Sequence, residues 1–320
     1  MSDLLITRAF LPEILEQAGG SLDVEQGVRN TPMPRAELLR RVRFARALIA
    51  YGTDRVDAEV LDAASALRIV AAFGVGYDNV DVEEATRRGV WVTNTPDVLT
   101  DATADVTMLL ILAVLRRAAE AFEFARHGSW TSAGPDLPWG TDPEGLTLGI
   151  LGLGRIGRAV AGRAGAFRMR VTYHSRQRLP EAEEQALAAE WMPLGELLKT
   201  ADVLSVHVPL APDTRGLLGA AELSLMHPGS FLVNTSRGPV IDEAALFAAL
   251  ESGRLGGVGL DVYANEPVIP PALREHPRAF CLPHIGSATL QTRQAMMRLC
   301  LANVANVLGG EPPLTPVNRV

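Results

Sequence analysis

Lysine is almost missing from this chain. Lys199 is the only one among 30 basic residues, so arginine carries nearly all the positive charge. One candidate is therefore left for Schiff-base chemistry. It sits in LGELLKT, where a solvated cation closing a short helix is the plain reading. Cysteine is scarce too: Cys281 and Cys300 stand alone, with no C-x-x-C and no Cys/His cluster. That argues against a metal site, and for a reducing compartment with both thiols as small buried apolar groups. No apolar run approaches the ~20 residues that cross a bilayer. The opening MSDLLITRAF lacks the basic start and long apolar core of a signal peptide. The expectation is a cytoplasmic protein with no membrane partner. A net charge of −7 gives no general attraction to nucleic acid. GxxxxGK[ST], GxSxG and HExxH are all absent, which removes the usual anchors of Walker-type phosphoryl transfer, elbow-type serine hydrolysis and zincin chemistry.

What is present is an α/β pattern. At 320 residues and 48% hydrophobic content, the chain can build two ordinary domains, each with its own core. From Leu146 onward the runs LTLGILG, RVTYH, DVLSVHVPL, SFLVNTS, GGVGLDVY and AFCLPH read as strands covered on both faces. Helix candidates lie between them. In IDEAALFAALESG, Asp242 can cap the start and Gly253 can close the end. Such alternation predicts a doubly wound, parallel Rossmann-type sheet. The first hundred residues repeat it more loosely, with LLITRAF, ALIAYG, LRIVAAFG and GVWVTNT as strands of a second, smaller α/β domain. A single long helix is expected from about Asp101 to His127. Its first half is apolar nearly all round, which points to burial between domains or subunits. The stretch GSWTSAGPDLPWGTDPEG reads as a functional or interfacial loop. The boundaries expected are 1–100 plus 287–320 for a discontinuous substrate-binding domain, and 101–286 for the dinucleotide-binding one.

Gly152, Gly154 and Gly157 form G-x-G-x-x-G directly after an apolar strand and at the start of a helix. The first glycine permits the tight turn, the second a close approach to pyrophosphate, the third helix–strand packing. Free N–H groups at the helix start complete an anion site. About twenty residues on, where a carboxylate would grip a ribose 2′-hydroxyl, the strand ends in His174, Ser175 and Arg176 instead. An arginine with a neighbouring hydroxyl suits a 2′-phosphate, so NADPH (NADP+) is expected, with NADH a weaker alternative. Arg178 can add to this patch, although a solvated basic loop is the competing reading.

Three polar residues follow expected strands at the sheet end where ligands bind in open α/β folds: Arg237, Glu266 and His284. Taken singly, each has a bland reading as a surface ion pair, a turn residue before Pro267, or a structural histidine. Together they suit reduction of a 2-oxo acid. His284 can protonate the developing alkoxide. Glu266 would hold the ring and favour its charged form. Arg237 can take the substrate carboxylate with its planar fork. In AAFGVGYDNVD, Gly74 and Gly76 permit a turn whose N–H groups face an anion, a second grip on that carboxylate.

In order, GVGYDNVD, ATAD, GLGRIG, NTSRGPVID, GLDVYANEP and LPHIGSAT resemble the D-isomer-specific 2-hydroxyacid dehydrogenases. SWTSAGPDLPWGTD and the HSR ending look most like its glyoxylate/hydroxypyruvate and 2-ketogluconate reductase branch. The resemblance implies a flavodoxin-like smaller domain and a catalytic trio of Arg237, Glu266 and His284. It implies substrate contacts from the backbone at Val75 and Gly76, and from Ser287, whose competing reading is a helix cap. It implies cofactor contacts from Thr103, Gly152, Gly154, Arg155, Ile156, Gly157, Ser175, Arg176, Val208, Pro209, Thr235, Ser236, Asp261 and Gly286. A homodimer built on the long helix and its following loop is implied as well, with Trp139 reaching the partner's active site. The implied activity is reduction of small 2-oxo acids such as glyoxylate and hydroxypyruvate to D-2-hydroxy acids. A 2-ketogluconate reductase is the nearest alternative. A nucleotide-sensing corepressor-like protein is the alternative of another class, and it would be recognised by loss of the trio. The end at Val320 leaves no room for the regulatory extension of many phosphoglycerate dehydrogenases, which weighs against that substrate.

Overall fold

A computed structural model describes residues 2–17, 22–29, 31–131, 134 and 137–320. The chain divides into two compact units, Met1–Leu99 with Ala288–Val320, and Thr100–Ser287.

The first unit runs β1 (Leu4–Ile6), α1 (Pro12–Gln17), β2 (Val24–Gln26), α2 (Arg35–Val42), β3 (Ala47–Ala50), α3 (Ala58–Ala63), β4 (Ile69–Ala72), α4 (Val82–Arg87) and β5 (Trp91–Thr93). The second runs α5 (Thr100–Leu115), α6 (Ala118–Arg126), β6 (Thr147–Leu151), α7 (Arg155–Ala166), β7 (Arg170–His174), α8 (Glu181–Leu187), β8 (Ala189–Trp191), α9 (Leu194–Thr200), β9 (Val203–Val206), α10 (Ala220–Leu225), β10 (Ser230–Asn234), α11 (Glu243–Glu251), β11 (Leu255–Leu260), α12 (Pro271–Arg274) and β12 (Ala279–Cys281). Helix α13 (Leu290–Gly309) then belongs to the first unit.

Among the described residues the first sheet has the order β2-β1-β3-β4-β5 and the second β12-β11-β10-β9-β6-β7-β8, with every pairing parallel. The first is the flavodoxin-like order, and the second is the Rossmann order with one added strand. Strands β3, β4, β6 and β9 are buried along their whole length. That accounts for their unbroken apolar runs. Separate apolar clusters fill each unit: Leu5, Val42, Leu48, Val60 and Val70 in the first, with Ile111, Leu148, Ile150, Val160 and Tyr173 among those of the second.

One expectation about the long helix is corrected. It is not one helix from 101 to 127 but α5 and α6, broken at Arg117, whose φ is +50°. The break is made from outside. Thr141 N–H donates to the Leu115 carbonyl at 2.8 Å, and a Cβ on Gly140 would fall 2.4 Å from that same oxygen. Part of the apolar surface of α5 is covered by its own sheet. Its Leu110 and Val114 lie over Gly259 of β11, where a Cβ would come within 3.0 and 3.3 Å of them, so the bare glycine lets the helix onto its own sheet. Asp242 caps α11 by accepting from Ala244 and Ala245 N–H, and Gly253 follows in the left-handed region at φ +75°. Lys199 closes α9 against Glu196 at 2.8 Å.

Candidate active site

Strands β10, β11 and β12 are neighbours and parallel, so the turns leaving their C-terminal ends lie side by side. These turns carry Arg237, Glu266 and His284. His284 Nδ1 and Glu266 Oε2 are 2.6 Å apart. The other carboxylate oxygen, Oε1, accepts from Tyr263 N–H at 3.1 Å. Burial works against ionisation of Glu266, but the bond and charge of His284, the Tyr263 N–H and the charge of Arg237 together hold its carboxyl below the usual range. Glu266 is thus a fixed anion on one nitrogen of an imidazole that is 46% exposed.

Asp261 holds the histidine turn. Its Oδ1 accepts from Ile285 N–H and its Oδ2 from Gly286 N–H, both at 2.7 Å. Those bonds secure a turn in which His284 itself takes φ +55°, a costly region for a side-chain-bearing residue. Burial raises the Asp261 carboxyl despite the two N–H donors and the nearby His284. Thr103 of α5 stands at the same corner, since a Cβ on Gly286 would lie 3.4 Å from its methyl group and 3.2 Å from Asp261 Oδ2.

The Arg237 turn is clamped by a residue that strand patterning does not reveal. Asn234, nearly fully buried at the end of β10, accepts from Ser236 N–H (2.9 Å) and Ser236 hydroxyl (3.0 Å). Its amide donates to the Arg237 carbonyl at 2.9 Å. An Asx residue before a Ser-Arg turn is a recognisable sequence signal for such a clamp. Thr235 is tied to Thr107 of α5 by a 2.9 Å hydroxyl pair. Beneath the turn, a Cβ on Gly238 would lie 2.0 Å from the Tyr263 carbonyl carbon, so bare backbone is needed for the Arg237 and Glu266 turns to meet. Glu243 completes the seam by accepting from Ala264 N–H at 2.7 Å.

At the point where strand order reverses, β6 and β9 lie side by side. Gly152 follows β6 at φ +98°, and a Cβ there would lie 2.8 Å from Val208 N, which brings Val208 and Pro209 beside the glycine turn. A Cβ on Gly157 would strike the Gly152 carbonyl at 2.4 Å. Gly154 differs: it is exposed at the cap of α7, and its Cβ would meet nothing within 4 Å. Space over the second glycine, beside the start of α7 where Arg155 and Ile156 lie, fits a pyrophosphate against the helix N-terminus. The dinucleotide fits this part of the chain on that ground. The β7 end is anchored below: His174 carbonyl accepts from Gly152 N–H at 2.8 Å, and Trp191 indole donates to the Ser175 carbonyl at 3.3 Å. Ser175 hydroxyl donates to the Gln177 carbonyl at 3.1 Å. Arg176 stands 80% exposed, 3.5 Å from Asp213. Arg178 is not part of this patch. Its guanidinium pairs at 2.9 and 2.7 Å with Glu184, which Tyr173 hydroxyl also bonds.

In the first unit, Val75 and Gly76 follow β4. Their N–H groups find no backbone acceptor among the described residues. Ser287 is half-buried before α13 but does not cap it, because Thr289 does, accepting from Thr292 N–H at 3.2 Å. Trp139 is 71% exposed, and its carbonyl accepts from Arg117 at the α5–α6 break. The loop expected to be interfacial includes residues 132, 133, 135 and 136, which lie outside the described residues.

A dinucleotide turn at the switch point, with an Arg–Glu–His set at the same sheet edge, defines an NAD(P)-dependent oxidoreductase. Residues 108–286 match the family described as D-isomer specific 2-hydroxyacid dehydrogenase, NAD binding domain. A glyoxylate reductase of Thermococcus gammatolerans is 47% identical over 320 residues, covering 99% of this chain and 96% of its own. The crystal structure of a Thermus thermophilus protein superposes with a TM-score of 0.92 at 46% identity, over 99% of this chain and 100% of that one. An NADPH-dependent glyoxylate/hydroxypyruvate reductase of Sinorhizobium meliloti, solved with NADP and malonate, superposes at 0.87 with 35% identity, over 100% and 99%. The chain belongs to the D-isomer specific 2-hydroxyacid dehydrogenase family.

Proposed function

We propose that this enzyme reduces small 2-oxo acids, glyoxylate and hydroxypyruvate foremost, to D-2-hydroxy acids, and that it prefers NADPH. The observation that carries the reading is the 2.6 Å pair of His284 Nδ1 and Glu266 Oε2 on the turn beside Arg237. Bound NADPH supplies the hydride. With Nδ1 held by a carboxylate, His284 keeps Nε2 for the substrate and delivers a proton from it to the oxygen that gains charge. Glu266 stabilises the charged ring and fixes its orientation. Arg237 binds the substrate carboxylate and draws charge toward the carbonyl oxygen. In the first unit the N–H groups of Val75 and Gly76 are carboxylate donors, and Ser287 borders the substrate. Thr103, the glycine turn, Val208, Pro209, Thr235, Ser236 and Gly286 bind the cofactor. Asp261 acts there through the His284 turn, since both its oxygens already accept backbone N–H groups.

The preference for NADPH is supported by Ser175 and Arg176 and by the lack of a carboxylate at the end of β7. The names of the Thermococcus and Sinorhizobium relatives support the substrate class. Two free cysteines favour a reducing compartment, the cytoplasm. Helix α6 buries none of its residues, while Phe122, Trp130 and Trp139 are 62%, 65% and 71% exposed. Apolar exposure on that scale suits a second copy of the chain, with Trp139 directed to the partner. The test of function is an initial-rate panel of glyoxylate, hydroxypyruvate, pyruvate and 2-ketogluconate with each reductant.

A further inference from the structure

We infer that Asn94 is a positioning residue for the substrate carboxylate, the last link of a hydrogen-bonded chain that starts inside α13. The inference rests on the reading of Val75 and Gly76 as carboxylate donors. A peptide C=O and the N–H of the next residue belong to one rigid plane and point to opposite sides. Fixing a carbonyl therefore fixes the aim of the following N–H. Asn94 Nδ2 donates to the Val75 carbonyl at 2.8 Å, which aims the Gly76 N–H. Thr95 N–H donates to the Gly74 carbonyl at 2.9 Å, which aims the Val75 N–H. Both donors of the grip are thus set from behind by the segment leaving β5.

That segment is held by the C-terminal tail. The Asn94 carbonyl accepts from Thr315 hydroxyl at 2.7 Å. The Thr315 oxygen in turn accepts from Asn303 Nδ2 at 3.0 Å. Asn303 is fully buried in α13, where an unpaired amide would be costly. All four of its hydrogen-bonding positions are used: Oδ1 accepts from Leu314 N–H (2.8 Å) and Thr315 N–H (3.0 Å), and Nδ2 also donates to the Leu299 carbonyl (2.9 Å). A fully satisfied buried network specifies one arrangement rather than several. The tail continues along the β5 edge. Val317 N–H donates to the Val92 carbonyl and Asn318 Oδ1 accepts from Val92 N–H, both at 2.7 Å. The order of action is Asn303, Thr315, Asn94, then the Val75–Gly76 peptide. None of the first three touches substrate.

The test separates this relay from the reading beneath it. In the unmodified protein with NADP+, oxalate should shift the backbone amide resonances of Val75 and Gly76; if neither moves, the carboxylate grip is wrong and the relay falls with it. Given those shifts, Asn94→Ala should raise KM for glyoxylate about tenfold, the worth of one positioned hydrogen bond, with kcat and NADPH affinity within about twofold. The isosteric Asn94→Asp, which sets a carboxylate against the Val75 carbonyl and near the substrate anion, should raise KM further. Thr315→Val should raise KM in the same direction by a smaller factor, with the fold intact. An unchanged KM in Asn94→Asp and Thr315→Val, or a loss confined to kcat, would overturn the relay while leaving the grip standing.

Discussion

His284 combines a strained backbone with a ring held on one nitrogen. Its φ of +55° is held by Asp261 and its ring by Glu266. His284→Ala should lower kcat by about 10²–10⁴-fold, the usual worth of a general acid, with NADPH affinity nearly unchanged. Steady-state kinetics with a separate cofactor titration checks this, and near-normal turnover would remove His284 from the acid role. In the proposed function Arg176 reads the 2′-phosphate of the reductant. Arg176→Ala should weaken NADPH far more than NADH, by about 1–3 kcal/mol, the range of a charge-assisted bond. Equal losses would mean that Arg176 does not read the 2′-phosphate. The trio and the glycine turn were legible at this scale because each combines a demanding residue type with a strand end. Asn94 was not, because it holds backbone supplied by another segment, and Asn234, whose Asx-turn signal lies in its own Asn-Thr-Ser-Arg run, was passed over by strand patterning. Arg178 was misread for a related reason: its partner, Glu184, is brought to it only by the packing of α8.

Among the elements, strand–helix alternation made the sheet of the second unit readable from its runs. It missed β2 and β8, three-residue strands whose VEQ and AEW carry little apolar signal. It also missed the break after α5, where neither Gly nor Pro marks Arg116–Arg117, and the cause is the distant Gly140–Thr141 backbone. The meeting of the Arg237 and Glu266 turns is likewise a matter of backbone contact. Gly238→Ala would set a methyl 2.0 Å from the Tyr263 carbonyl carbon. It should cost about 1–3 kcal/mol of stability by overpacking and lower kcat/KM as the two turns part. Chemical denaturation beside steady-state kinetics measures both, and a fully active, fully stable variant would contradict the close packing.

For the whole molecule, two predictions are made. Self-association through α6 and the exposed tryptophans predicts sedimentation as a dimer at micromolar concentration, with Phe122→Glu shifting it toward monomer; a monomer in the unmodified protein would discredit that face as an interface. The second concerns acid stability. His207, bonded to Ser205 at 2.8 Å below the glycine turn, has its imidazole pushed down to about 4 by burial. An unfolded chain protonates that ring near 6.5, so the unfolded state binds more protons between those values. Its contribution to stability is complete above about 6.5 and falls as pH drops toward 4, by at most about 3 kcal/mol. His207→Gln should flatten this part of the stability curve, measured by urea unfolding across pH; an unaltered slope would assign acid lability elsewhere.

The measurement closest to the central claim is the rate of reductant oxidation by the purified enzyme with glyoxylate or hydroxypyruvate. The account predicts turnover with both, a higher kcat/KM with NADPH than with NADH, and collapse of both rates in His284→Ala. No oxidation of either reductant with any 2-oxo acid of the panel would contradict it.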